Sequence, residues 1–222
     1  MGELREVDVS LSEWVAYVFD HDVTDPAWHF DINAPYINLA PAAAAQLISE
    51  AFENGGELLR PFSDAQLNQG FWFLVSNGGS DYMFCLSDAS VLLALRRRAL
   101  RSFVPLFQQV MVPRCTPVLS HFDEAGASPL NSACYMWWDL LPLNWTAISA
   151  DTAFVADVFA VLGELLAIPH DACRESALHG LGHSIFFTPG GAPIIDTFLE
   201  QNRDLRPELI AYAKAARTGC IL

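Results

Sequence analysis

Lysine is almost missing from this 222-residue chain: Lys214 is the only one among twelve basic residues, which face twenty-six acids for a net charge of −14. A chain so poor in cations repels phosphate backbones, which excludes general DNA or RNA binding. The deficit is uneven. Residues 1–90 hold fourteen acids against Arg5 and Arg60 alone, a net −12, while residues 91–222 are nearly balanced. Long apolar runs are missing too. The longest, Ala153 to Ile168, is broken by Asp157 and Glu164 and falls short of the roughly 20 residues that a membrane span needs, so it reads as a buried helix. Cys85, Cys115, Cys134, Cys173 and Cys220 are odd in number and free of C-x-x-C spacing, which excludes a zinc ribbon or a disulfide framework. The opening Met1 to Asp8 is acidic where a signal peptide would be basic and then apolar, so a cytoplasmic location is expected and the glycosylation triplet Asn144-Trp145-Thr146 reads as chance. Gly-x-Ser-x-Gly, Walker and Gly-x-Gly-x-x-Gly patterns are all absent; Cys115 or Cys134 with His121 is a pairing that any chain of this size offers.

What is present is a core. Hydrophobic residues make up 52% of the chain, with fifteen Phe and six Trp, and charged residues only 17%. That composition belongs to a folded globular protein with one compact unit or two closely joined helical layers. The Arg and Ala bias over Lys suggests a bacterial source.

Helix signals recur along the chain. Ser10 or Ser12 caps a helix to about His21, and Pro41 opens an alanine-rich helix closed by Gly55-Gly56. Ser63 or Asp64 caps a third to about Ser76, before the turn Asn77 to Ser80. From Ser87 an arginine-rich helical segment runs to about Val112, kinked or divided at Pro105. Residues 113–130 read as a surface loop, followed by an aromatic helix from Asn131 that Pro142 stops. Four further helices are expected at about 151–167, 171–186, 193–202 and 206–217. No run alternates β-branched residues between hairpin turns, so the fold class is all-α; 72–75 and 82–85 are the places where a short strand would fit. The expected architecture is a multi-helix bundle or a short helical array, a single domain over 1–222 in which an acidic part, 1–112, packs on a second, 131–222.

The segment Cys173 to His183 carries the most chemistry. On a helix, Ala177, Leu178, Leu181 and Ile185 share one side, and Ser176, His179, Gly180 and His183 the other, with Glu175 at its edge. Two glycines and two imidazoles are unusual on a solvated face, so a close helix crossing or a site is expected there. The run Asp171-Ala-Cys-Arg174-Glu-Ser-Ala177-Leu-His-Gly-Leu181-Gly182 resembles the second helix of a HEAT-type repeat, about a dozen positions, which implies stacked helix pairs.

Histidines at i and i+4 can present two imidazoles to one metal ion, and Glu175 is the candidate third ligand, so His179, His183 and Glu175 are the metal-site candidates, for zinc or another divalent ion. The zinc-protease motif needs a glutamate directly after its first histidine, where Gly180 stands. Other clusters carry weaker patterns. Asp20, His21, Asp22, Asp25, His29 and Asp31 gather possible ligands in an irregular stretch; Arg96, Arg97, Arg98 and Arg101 suit ion pairs with the acidic N-terminal part; Tyr135, Trp137, Trp138 and Trp145 suit core packing or stacking on a ligand, with Asp139 as an acceptor for an indole N–H. The leading expectation is therefore a soluble, non-enzymatic bacterial module without a cofactor, binding a basic protein through its acidic face as an immunity or antitoxin-like protein would. Its candidate binding residues are Trp137, Trp138, Asp139, Glu175, His179 and His183. The competing expectation is a metal-dependent hydrolase or metal-binding protein built on the His179/His183 helix.

Overall fold

The structure is a computed structural model and describes residues 8–143, 148, 151–188 and 190–221. All the regular structure in it is helical, with no strand among the described residues, and no described helix is long and apolar enough to cross a membrane. The main helices are α1 Leu11–Phe19, α2 Pro41–Glu53, α3 Asp64–Val75, α4 Leu93–Arg101, α5 Asn131–Leu140, α6 Thr152–Leu166, α7 Asp171–Ser184, α8 Gly191–Gln201 and α9 Pro207–Ala216.

Local chemistry sets most of these boundaries. Ser10 and Ser63 each accept a hydrogen bond from the backbone N–H three residues on, and Glu13 and Gln66 reach back to the cap N–H, so α1 and α3 open on capping boxes. Pro41 and Pro207 stand at first-turn positions where a missing N–H is harmless. The arginine-rich helix begins at Leu93, later than the pattern from Ser87 suggested, because residues 87–92 turn on Asp88, whose side chain accepts from the Ser90 N–H and whose carbonyl accepts from the Val91 N–H. Around Pro105 the chain makes a short helix, Phe103–Leu106, and passes into a wider π turn at Phe107–Met111. Residues 72–75 belong to α3 and residues 82–86 form a 3-10 turn, so neither candidate strand forms. Within 113–130, Leu119 and Leu130 are fully buried, and the single turn Ser120–Phe122 runs inward to the site described below.

Trp137 of α5 joins the two parts of the chain. Its ring meets Phe52 of α2, Phe71 of α3, Phe103 and Phe107 at centroid distances of 5.3 to 5.9 Å. Trp137 is fully buried and Trp138 is 3% exposed, so neither indole offers a stacking face; both N–H groups lack an acceptor among the described residues, and Asp139 serves neither. Trp145 and the Asn144 to Thr146 triplet lie outside the described residues, as does most of the acidic opening segment. Of the arginine cluster, only Arg98 pairs with an acid of the N-terminal part among the described residues, with a two-pronged bond to Glu53 at 2.7 and 2.9 Å. Arg97 and Arg101 share Asp157 of α6, while Arg96 bonds the Leu86 carbonyl and approaches Asp151.

At the centre of the second half lies α7, in contact with α5, α6, α8 and α9 and buried on nearly every side. Its small residues set these approaches. A Cβ on Gly180 would stand 2.6 Å from Trp138 Cγ and 2.9 Å from a Leu162 methyl, both in the core. On an exposed helix, Gly to Ala adds about 1 kcal/mol of stability. Here the sign reverses: Gly180→Ala is expected to lower stability by about 2 kcal/mol, because the rings and backbones of α5 and α7 must separate. Urea denaturation measures it, and a stabilised variant would remove the close crossing from the account.

Candidate metal centre

The polar side of α7 carries Glu175, His179 and His183 one turn apart, but their side chains part company. Glu175 is completely buried and turns to the 120–122 turn, where its carboxylate accepts from the Ser120 N–H at 2.8 Å, the His121 N–H at 3.0 Å and His121 Nδ1 at 2.5 Å. Burial pushes the Glu175 carboxyl up from its usual value, and the His121 and Ser120 donors pull against that. With its oxygens engaged by three donors, Glu175 is a tether for the turn. The expected ligand set of His179, His183 and Glu175 is corrected on this point.

Asp139, at the end of α5, takes the third place. The Nε2 atoms of His179 and His183 lie 3.0 Å apart, and Asp139 Oδ1 lies 3.1 Å from His183 Nε2. Ligand atoms of the three residues all fall within 4.8 Å of one another, the only such group of three or more His, Cys, Asp or Glu among the described residues. Four-coordinate zinc with bonds of about 2.0–2.1 Å spaces its ligand atoms by roughly 3.3 Å, so the His179–His183 and His183–Asp139 pairs would each open by only a few tenths of an ångström.

The site has a dry wall and a wet one. His179 is 1% exposed, while the side chains of His183 and Asp139 keep 36% and 38% of their surface. Behind His179, Nδ1 meets the Tyr212 hydroxyl of α9 at 2.7 Å, and the Tyr212 hydroxyl in turn hydrogen-bonds Tyr135 of α5. Tyr135 stands edge-on to the His179 ring, and Tyr212 stacks on His121 at 4.1 Å. The partners select a tautomer. With a proton on Nδ1, His179 donates to Tyr212 and turns an Nε2 lone pair outward, and His183 Nε2–H lies between that lone pair and Asp139; the opposite choice sets an unprotonated His183 nitrogen against a carboxylate. Desolvation, then the nearby His183 and His121, hold His179 down to about 3, so it is neutral at physiological pH, as a metal ligand must be. Burial likewise raises Tyr212 far above the ordinary phenol range, which keeps its hydroxyl protonated as an orienting group.

No known protein family, curated protein or solved structure matches this chain.

Sequence spacing found His179 and His183 but not their company. Tyr212 sits in the apolar pattern of α9 with nothing to mark it, and Asp139 stood among the candidate binding residues and as an acceptor for an indole, but not among the metal ligands. His121 stood out in the sequence only as a partner for a cysteine; its actual partner is Glu175. The acids and histidines of 20–31 do not join this centre; of them, Asp25 and His29 line a separate cavity against α3.

Proposed function

We propose that this chain binds one divalent transition-metal ion, of the zinc class, through His179, His183 and Asp139, and uses it as a hydrolytic centre. The observation that carries the reading is the convergence of two imidazole nitrogens and a carboxylate at 3.0 and 3.1 Å beside a half-open wall. Three protein ligands with a fourth position toward solvent is the arrangement of catalytic rather than structural zinc sites, and an ion there makes a bound water acidic enough to act as a nucleophile near neutral pH. Metal binding would displace the proton on His183 Nε2, and Tyr212 would hold His179 in register.

Elemental mass spectrometry of the purified protein, with zinc titration of the chelator-treated form, tests it. About one equivalent is expected, with affinity reduced at least about 100-fold in His183→Ala and in Asp139→Ala. Glu175→Gln is expected to keep its metal, which separates this ligand set from one that uses Glu175. A metal-free protein with no affinity for zinc overturns the reading.

A second reading rests on a different observation. Among the described residues of 8–90, only Glu53 and Asp64 are ion-paired with arginine, so most of that acidity is unneutralised. A cytoplasmic, immunity or antitoxin-like module covering a basic protein partner would use such a face. Zinc-free protein would return the work to this reading.

A further inference from the structure

In the irregular segment 20–36 the acidity of the first half meets exposed apolar surface. Val23 is 57% exposed, Phe30 61% and Ile32 96%, so the Ile32 side chain stands almost wholly in water. Single apolar side chains are ordinary on a protein surface, whereas a group of them on one segment beside a cavity marks an interaction site. Here Val23 and Phe30 join Trp72 of α3 in walling a cavity of about 460 Å³, whose polar groups include the hydroxyls of Thr24 and Ser76 and the Asn68 amide. That volume exceeds any single side chain, so a leucine or an aromatic ring from a partner enters it whole, against Trp72 and Phe30. Buried anchors of this kind carry most of the affinity at protein interfaces.

Charge decides among the occupants. Asp20, Asp22, Asp25 and Asp31 are exposed, no Lys or Arg occurs in 20–36, and the only acids of 8–90 paired with arginine among the described residues are Glu53 and Asp64. Asp31 Oδ1 is engaged by the Asn33 N–H at 2.9 Å and the Asn33 amide at 3.1 Å, which leaves the other three carboxylates for a partner. A second copy of this chain carries the same net −14, and nucleic acids and anionic lipid surfaces are negative too, so each would bring like charge to these acids. A cationic polypeptide brings the opposite charge. We infer that segment 20–36 is the docking site for a basic amphipathic stretch of a partner protein: one leucine or aromatic side chain fills the cavity beside α3, an apolar neighbour covers Ile32, and flanking Arg or Lys side chains pair with Asp20, Asp22 and Asp25. This inference deepens the second reading above, that of a basic partner, and is independent of the metal centre.

Panning a random peptide library on the immobilised, chelator-treated full chain tests the site, with fluorescence polarisation of the enriched peptides after synthesis. Enriched peptides are expected to combine net positive charge with a leucine or aromatic residue, and to bind with Kd between about 1 and 100 μM at low salt. Affinity should fall about tenfold between about 20 and 200 mM salt, and at least about tenfold when the apolar anchor of the peptide is replaced by serine. Ile32→Ser and the pair Asp22→Asn with Asp25→Asn alter exposed side chains, so both variants should keep the parent's urea midpoint while binding about tenfold more weakly. Glu57→Gln, which removes an exposed acid of the same half outside the segment, should stay within about twofold of the parent. Basic peptides that bind both segment variants as tightly as the parent overturn this site and leave the reading of a basic partner standing. If no basic peptide is enriched, both fall. Self-association of the chain, or binding to phosphatidylcholine–phosphatidylglycerol vesicles, that Ile32→Ser abolishes would assign the apolar surface to a second copy or to a membrane and overturn the inference as well.

Discussion

Chelator-treated protein is expected to lose stability as the pH falls from about 6.5 toward 3, with His179 as a principal cause. The buried ring sits near 3 in the fold against an ordinary 6.5. Between those values an unfolded chain binds a proton that the folded chain does not, so this contribution is complete above 6.5 and is lost progressively through the window. The full interval corresponds to at most about 5 kcal/mol, a large share of a typical domain's stability. Groups facing the ring belong to three elements besides its own: Tyr135 and Asp139 from α5, Tyr212 from α9 and His121 from the 120–122 turn, with His183 on α7 itself. Other groups contribute to the raw curve. His29 is lowered and acts in the same direction, whereas His170 and Glu175 are raised and oppose it. The difference between wild type and His179→Phe, from urea midpoints at each pH, isolates the ring. Parallel curves between 6.5 and 4.5 would mean that His179 titrates freely in the fold. Zinc should steepen the wild-type curve alone, because protons and metal compete for the same nitrogens.

Glu175→Ala is expected to destabilise the protein by about 4 kcal/mol at neutral pH. Three N–H donors, two of them backbone groups, end on this one carboxylate. Removing it leaves them without a protein partner at a buried position, and loss of one member of a buried charged network weighs far more than the network contributes. The loss spreads by contact. His121, untethered, no longer holds its stack on Tyr212, and Tyr212 is the group behind His179 Nδ1. Zinc affinity should therefore fall while stoichiometry stays near one, with Glu175→Gln intermediate because one oxygen acceptor survives. Denaturant titration reads the first effect and zinc titration the second. A loss below about 1 kcal/mol would show that the turn is held by its other contacts.

These two residues also mark how far local reasoning reaches. The four-residue spacing of His179 and His183 is a property of the helix, so their proximity was legible before any packing was known. Glu175 belongs to the same face by the same arithmetic, yet it tethers a turn that lies 54 residues earlier in the chain. Asp139 reaches His183 only because Trp138, its neighbour on α5, packs against Gly180 and brings the two helices together. A glycine on an imidazole-bearing face signalled a close approach without saying which helix approached.

By itself the sequence determined most of the helices and many of their ends, the absence of strands among the described residues, the acidic first half and the pairing of His179 with His183. All of these follow from interactions within a few residues or from composition, which are encoded where they act. Only the tertiary structure decided that Asp139 rather than Glu175 lies beside the histidine pair, that Trp137 and Trp138 are core and that the Tyr212 hydroxyl stands behind His179. Each of those depends on which helix lies opposite which, and that is set by how the apolar faces of the whole chain fit together rather than by any one segment.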